Sequence, residues 1–186
     1  MRILVFNAGS SSLKFGVFLT EPGVGEILKG SFERFHDGRC DYRFRQGETD
    51  ERGTAQCGDI ASAAGRVPDV LKRFGLEGVD AIGHRVAHGG PKFALPAILD
   101  DAAVDTIQEL TPLAPLHNPA NVLGIEAALE TFPNVPNVAV FDTAFHQTMP
   151  PVAYTYALDA NLDWVEHLGA VLVSPEYRLA PEYTDP

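Results

Sequence analysis

Short apolar stretches separated by polar turns dominate the first quarter of the chain. Residues 2–6 and 13–19 are mainly apolar, with a small Gly- and Ser-rich segment between them. Residues 26–35 and 40–46 also have strand character, and in the second stretch aromatic residues alternate with arginines. Such alternation is typical of half-buried strands. We therefore predict an antiparallel meander that begins with a hairpin, followed by a polar loop over residues 46–53.

Helical spacing of apolar residues predicts three helices further along the chain. The first contains Pro68, which should kink or split it. Asp100 or Asp101 can cap the second, and Asn118 can cap the third with Pro119 at its first position. The apolar positions that carry this periodicity are Ile60, Ala63, Ala64, Val67, Val70, Leu71 and Phe74, then Val104, Ile107 and Leu110, then Val122, Ile125, Leu129 and Phe132.

Two further apolar stretches, residues 79–86 and 137–141, alternate with these helices and read as buried strands. A meander followed by helix–strand alternation indicates an α/β fold with a mixed sheet and helices packed against it.

Composition and charge narrow the class of protein. The hydrophobic content of 45% and the charged content of 21% are those of a globular protein. A net charge of −11 argues against nucleic acid or an anionic membrane as partner. The segment after Arg2 is too short for a signal-peptide core, so we expect a cytoplasmic protein. Cys40 and Cys57 show no CxxC spacing and read as free thiols, with one disulfide left open.

Two segments combine glycine with a cation. In residues 7–15, Asn-Ala-Gly-Ser-Ser-Ser-Leu-Lys-Phe, backbone N–H groups and hydroxyls suit phosphate oxygens, and Lys14 adds positive charge. The alternative is an ordinary hairpin turn. In residues 83–90, Arg85 ends a buried strand beside two glycines and can grip a carboxylate or phosphate. Its alternative is a structural ion pair.

Two more segments place polar residues at element ends. His117, in residues 113–119, precedes a predicted helix, where imidazole can donate or accept a hydrogen bond. Asp142 follows a predicted strand, which suits a functional carboxylate as well as a turn residue. The i,i+4 spacing of His84 and His88 resembles a zinc pair, but these residues flank a strand rather than lie on a helix.

These four segments, in this order, resemble the signatures of the acetate kinase family over residues 1–158. The resemblance implies an actin-like or sugar-kinase-like domain with a ribonuclease-H-like sheet, truncated before the family's second domain. It implies reversible phosphoryl transfer from ATP, with Mg²⁺, to acetate or another short carboxylate, giving ADP and acetyl phosphate. It also implies a homodimer.

The resemblance assigns the first segment to the nucleotide and the metal. Asn7 would help to hold Mg²⁺, and Lys14, Ser10 and Ser12 would lie near the phosphates of the nucleotide.

The other three segments would bind and activate the acyl substrate. By resemblance, Arg85 contacts the substrate, and Ala87 and Leu116 line the acyl pocket. His117 lies near the transferring phosphoryl group, and Asp142 is the acidic catalytic residue. Ala87 stands where the family often has valine, and its smaller side chain could admit a longer acyl group.

The resemblance stops near residue 158, and the family's later nucleotide-binding loops have no counterpart here. Residues 162–186 instead resemble a strand and loop of hormone-sensitive-lipase-like α/β hydrolases, so we predict an unrelated tail over 159–186. No G-x-S-x-G segment is present, which disfavours an esterase. Two hypotheses follow: an acetate kinase-like phosphotransferase, incomplete in this chain, or a non-catalytic fragment that at most binds substrate.

Overall fold

The computed structural model describes residues 1–150 and residue 153, and one sheet organises them. The eight strands within this part lie in the order β5-β4-β3-β2-β1-β6-β8-β7. They are β1 (Arg2–Gly9), β2 (Ser12–Leu19), β3 (Gly25–His36), β4 (Arg39–Gln46), β5 (Thr49–Ala55), β6 (Ala81–Val86), β7 (Ala97–Ile98) and β8 (Asn137–Phe141).

Both antiparallel and parallel pairings occur in this sheet. Strands β1 to β4 form the antiparallel meander that the alternating pattern predicts, and β5 extends this meander at the sheet edge. Strand β6 then pairs with β1 in parallel, β8 pairs with β6 in parallel, and the short β7 runs antiparallel to β8. The prediction of an α/β fold with a mixed sheet is confirmed.

Three α-helices cover one face of the sheet: α1 (Ile60–Arg73), α2 (Asp101–Glu109) and α3 (Asn118–Thr131). Asp59 starts α1 with a capping box, and Asp100 caps α2 through the backbone N–H of Ala103. Capping oxygens satisfy N–H groups that have no partner inside the helix. None of the helices in the described part of the chain is long and apolar enough to cross a membrane.

Alternate strand residues build the core beneath these helices. In β1, Leu4, Phe6 and Ala8 are buried, and they pack in one cluster with the apolar sides of α1 and α3. The approach of α3 to β1 is close, because a Cβ added at Gly124 would lie 2.5 Å from the Cβ of Ala8. No α-helix of the described residues covers the opposite face, which bears exposed Lys14, Arg85 and their neighbours.

Three details differ from the sequence predictions. Residues 46–53 are not a loop: a tight turn with Gly47 at φ 54° leads directly into β5, which pairs with β4 along its length. Of the two effects predicted for Pro68, the split does not occur, because α1 runs as one helix through the proline position. Helix α3 begins one residue earlier than predicted, with His117 rather than Asn118 in the cap position.

The two cysteines form a disulfide, so the expectation of free thiols is wrong for this structure. Cys40 and Cys57 are both buried, and their Cα atoms are 5.6 Å apart. The antiparallel register explains the pairing, since Cys40 of β4 lies opposite Ala55 of β5 and Cys57 follows two residues later. The bond thereby ties the sheet edge to the start of α1.

Candidate functional site

Three polar side chains converge where adjacent parallel strands end. Asn7 lies near the end of β1, Arg85 near the end of β6, and Asp142 directly follows β8. Because β1, β6 and β8 are parallel neighbours, their carboxyl ends meet at one edge of the sheet. Such edges are the usual location of ligand sites in α/β folds.

Arg85 is the centre of this group. Its Nε lies 3.1 and 3.0 Å from the two carboxylate oxygens of Asp142, and its Nη2 lies 2.5 Å from Oδ2. Its Nη1 donates a longer hydrogen bond, 3.4 Å, to Oδ1 of Asn7. The side chains of Arg85 and Asp142 are 46% and 45% exposed. An ion pair this exposed contributes little to stability, so a ligand anion can replace one partner at small cost.

The segment after β6 is held in place by side chains from α3 and from the turn after β8. Asn121 accepts a hydrogen bond from the N–H of Ala87, 3.0 Å, and donates one to the carbonyl of Ala8, 2.8 Å. Asn118 binds both backbone polar groups of His88. Both asparagines are buried. They therefore fix the ends of β1 and β6 relative to each other.

A buried histidine lies directly beneath the site. His84 Nε2 is 2.7 Å from Oδ1 of Asn137, and the amide of Asn137 donates to the carbonyl of Val135. This second bond orients the amide, so His84 carries its proton on Nε2. Burial lowers the pKa of His84 to about 4, and its hydrogen bond to Asn137 opposes this shift. His84 is therefore a neutral core residue beside Arg85.

His88 has a separate role in the backbone. Its Nδ1 accepts a hydrogen bond from the N–H of Gly90, 2.8 Å. His84 and His88 thus face different partners, and within residues 1–150 and 153 no cluster of three His, Cys, Asp or Glu could hold a metal ion.

The Ser-rich hairpin is tighter than the sequence suggests. Strand β1 continues to Gly9, and β2 begins at Ser12, which leaves Ser10 and Ser11 as the turn. Ser10 is exposed and Ser12 is half-buried. Lys14 lies directly opposite Asn7 in the register, and its Nζ is 3.6 Å from Oε1 of Glu33. The structure thus brings Lys14 beside Asn7 on the open face of the sheet.

The remaining predicted site residues surround the start of α3. His117 is exposed in the cap position, and Leu116 before it is 79% exposed. Ala87 is half-buried in the segment that Asn121 holds. In the part of the chain that the structure describes, no hydrogen bond joins His117 to Arg85, Asp142 or Asn7. His117 and Leu116 thus lie at the start of α3, the helix whose Asn121 holds the backbone of Ala87.

The oxygen donors near Arg85 could supply only one or two of the ligands of a Mg²⁺ ion. Mg²⁺ prefers oxygen ligands, keeps several waters, and is commonly held by one or two carboxylates together with substrate phosphates. Asn7 supplies one amide oxygen and Asp142 one carboxylate, and both now face the Arg85 guanidinium. This donor set fits a metal that arrives with phosphate; Asn7 would hold it, with the carboxylate of Asp142 beside it.

The sequence patterns single out Asn7, Arg85 and Asp142, which the structure brings together, but not the polar residues that hold the neighbouring backbone. Asn121, Asn137 and Thr143, whose Oγ1 accepts from the N–H of Gly89, were not singled out. The sequence feature that could identify such residues is a polar residue within an apolar stretch, such as Asn121 beside the apolar stripe of α3. Buried polar groups are almost always hydrogen-bonded, so each marks a specific partner.

Known proteins are similar to this chain in sequence. The acetokinase family model matches residues 2–170. An acetate kinase of Deinococcus radiodurans is 46% identical over 160 residues, covering 85% of this chain and 40% of the relative. An acetate kinase of Bacillus subtilis is 46% identical over 163 residues, covering 84% and 40%.

Solved structures of related kinases have a similar fold over most of this chain. A propionate kinase of Francisella tularensis is 35% identical with a TM-score of 0.76, covering 89% of this chain and 43% of that structure. The acetate kinase of Porphyromonas gingivalis is 32% identical with a TM-score of 0.78, covering 90% and 43%. The predicted fold class is therefore confirmed.

The family match runs past the predicted boundary at residue 158. The boundary and the tail lie outside the described residues, so the predicted division of the chain stays a prediction. The chain spans about 40% of the length of the curated relatives it matches. The matched residues, the identities and the fold together place this chain in the acetokinase family.

Proposed function

We propose that this chain carries part of the active site of a phosphotransferase that moves the terminal phosphoryl group of ATP to acetate or another short carboxylate. The observation that carries the proposal is the convergence of Asn7, Arg85 and Asp142 at the ends of three parallel strands. In the reaction, a carboxylate oxygen forms a bond to the γ-phosphorus, and the bond to the ADP oxygen breaks. The products are ADP and the acyl phosphate.

Arg85 is the proposed anion ligand. The reacting carboxylate and phosphoryl group are both negative, so the main demands are alignment and charge neutralisation. A guanidinium presents a planar fork of donors that matches either anion in two-point geometry. The exposed contact of Arg85 with Asp142 shows that the fork faces the open side of the sheet. Substrate would take over part of that contact.

Asp142 and Asn7 orient Arg85 and offer oxygens on its two sides. In the proposed site, Asp142 holds the guanidinium, orients the acyl group or accepts a proton, and lies beside the metal. Asn7 contributes a metal ligand. Mg²⁺, when bound with ATP, supplies positive charge to the phosphate oxygens. Lys14, opposite Asn7 in the register, and the hydroxyls of Ser10 and Ser12 would contact phosphate groups.

The start of α3 forms the proposed acyl side of the site. Ala87 and Leu116 would line the acyl pocket, and His117 would donate a hydrogen bond to the transferring phosphoryl group. The large exposed fraction of Leu116 is consistent with a side chain that is covered only when a ligand or further protein is present. The small Ala87 leaves room for an acyl group longer than acetyl.

A second candidate function is a binding fragment without catalysis. The observation in its favour is that this chain spans about 40% of the length of its relatives. In this case the chain binds a short carboxylate through Arg85 but does not transfer phosphoryl groups.

Hydroxylamine trapping of acyl phosphate separates the two candidates. The 186-residue chain is incubated with Mg²⁺, ATP and acetate, and acetate affinity is measured in parallel by calorimetry. Arg85→Ala and Asp142→Asn are compared with Lys72→Ala, which removes an exposed cation from α1 on the other face of the sheet. Removing a group that stabilises transition-state charge lowers turnover by about 100-fold or more.

Activity that falls in both site variants but not in Lys72→Ala supports the phosphotransferase. An inactive chain of correct intact mass that binds acetate, and loses this binding in Arg85→Ala, supports the binding fragment. A folded chain that neither turns over nor binds acetate contradicts both proposals.

A further inference from the structure

A broad groove follows the open face of the meander, starting at the edge of the candidate site. It has a volume of about 820 Å³ and begins beside Asn7 and Lys14. From there it crosses the outward-facing residues of β2, β3, β4 and β5. Arg85 and Asp142 do not line it.

Basic side chains are concentrated in this groove. It is lined by six of the chain's 14 lysines and arginines, although the whole chain has a net charge of −11. Three acidic residues line it, so the groove keeps a local positive surplus. The basic residues are Lys14, Lys29, Arg34, Arg43, Arg45 and Arg52, and the acidic ones are Glu26, Glu33 and Asp41.

The sheet register sets like charges directly opposite each other. Lys29 of β3 pairs with Arg45 of β4, and Arg43 of β4 pairs with Arg52 of β5. Like charges at directly opposed positions destabilise a sheet. Among the described residues, Lys29, Arg45 and Arg52 form no salt bridge within 4.0 Å. This repulsion is therefore only partly relieved inside the molecule.

Acidic neighbours pair with three of the six cations of the groove. Lys14 pairs with Glu33, Arg34 pairs with Asp41, and Arg43 makes a two-point contact with Asp50. The pKa of Asp50 is lowered by its hydrogen bond to Arg43 and also by the charges of Arg52 and Arg45. An anion at this position is thus stabilised by several cations together.

We propose that this groove binds a small free anion that carries several linked phosphate groups. Cations on adjacent strands lie about 4.8 Å apart in two register rows, Lys29 with Arg45 and Arg43 with Arg52, and these rows are about 7 Å apart along β4. A chain of phosphates can contact both rows at once, whereas a single phosphate reaches only one of them. Arginine forks match phosphate oxygens in two-point geometry. The inference does not rest on the proposed phosphotransferase activity.

Titration calorimetry with inorganic triphosphate tests this site in the 186-residue chain. Orthophosphate is titrated in parallel, at low and at physiological ionic strength. The test variant replaces Lys29, Arg45 and Arg52 by Gln. The control variant carries the same charge change on Arg39, Lys72 and Lys92, which do not line the groove. Circular dichroism and thermal unfolding verify that both variants fold.

We expect triphosphate to bind more tightly than orthophosphate and to weaken as salt screens the cations. The triple groove variant should lose about tenfold or more in affinity, and the control variant should lose less than about threefold. Equal losses in the two variants, equal affinity for the two phosphates, or no binding would each overturn the proposal. If the NMR amide shifts of groove residues change with protein concentration in the absence of triphosphate, this face binds a second copy of the chain instead. That result would also overturn the proposal.

Discussion

We predict that the buried histidine beneath the site, His84, makes the fold less stable in mild acid. His84 packs against the ring of Phe6 and bonds to Asn137, and its pKa is lowered from 6.5 to about 4 by burial. Between these values the unfolded chain binds a proton on this residue and the folded chain does not. Stability therefore falls as the pH falls through this window.

The size of the effect follows from the two pKa values. The full shift is equivalent to about 3 kcal/mol, of which about 2 kcal/mol is lost between pH 7 and pH 5. Because His84 directly precedes Arg85 in β6, the candidate site should be lost together with the fold. Urea unfolding followed by circular dichroism at both pH values measures this difference.

His84→Gln is the matched variant, since it keeps a hydrogen-bond donor for Asn137 but does not titrate. We expect its stability to change much less between pH 7 and pH 5 than that of the parent chain. The reasoning would be refuted if the parent chain and the variant lost equal stability on acidification. It would also fail if the parent chain were as stable at pH 5 as at pH 7.

Three other substitutions and one treatment probe the packing, the site scaffold and the disulfide. Gly124→Ala inserts a methyl group 2.5 Å from the Cβ of Ala8 in β1, so it should lower the free energy of unfolding by about 1–3 kcal/mol. Gly65→Ala has open space around it in α1, so it should raise the free energy of unfolding by about 0.5–1 kcal/mol. Urea unfolding measures both changes. Asn121→Leu leaves the N–H of Ala87 and the carbonyl of Ala8 without partners, so it should lower the free energy of unfolding by about 2–3 kcal/mol. It should also speed hydrogen exchange of the backbone amides that follow β6. Unchanged exchange would contradict this role of Asn121. Reduction of the Cys40–Cys57 bond, which closes a 17-residue separation, should cost about 3 kcal/mol, and alkylation with mass spectrometry tests whether the bond forms at all.

Patterns within a single element were readable from the sequence. The alternation of Tyr42 and Phe44 with arginines predicts β4 because one side of the strand is buried and the other is not. The apolar spacing before Phe74 predicts α1 for the same kind of reason. Strand β5 escaped prediction because it lies at the sheet edge and neither of its faces is strongly apolar, so its pairing depends on the turn and on Asp50.

Contacts between distant positions were not readable in the same way. The disulfide requires the register of β4 and β5, which the cysteine spacing does not contain. The polar contacts of the site join residues 57 and 78 positions apart. Asn118 was expected to cap α3, but its side chain instead binds the backbone of His88. In each case the tertiary partner, which no local pattern specifies, decides the outcome.

The position of β1 in the middle of the sheet has a consequence for synthesis on the ribosome. Its partner β2 follows at once, whereas its other partner β6 ends at Val86, 77 residues after Gly9. At roughly 5–20 residues per second, this interval lasts about 4–15 s. Throughout it, one side of β1 presents unpaired backbone groups beside apolar side chains, which is a template for aggregation. A strand that is paired on both sides in the finished molecule therefore has an open edge for several seconds in the nascent chain.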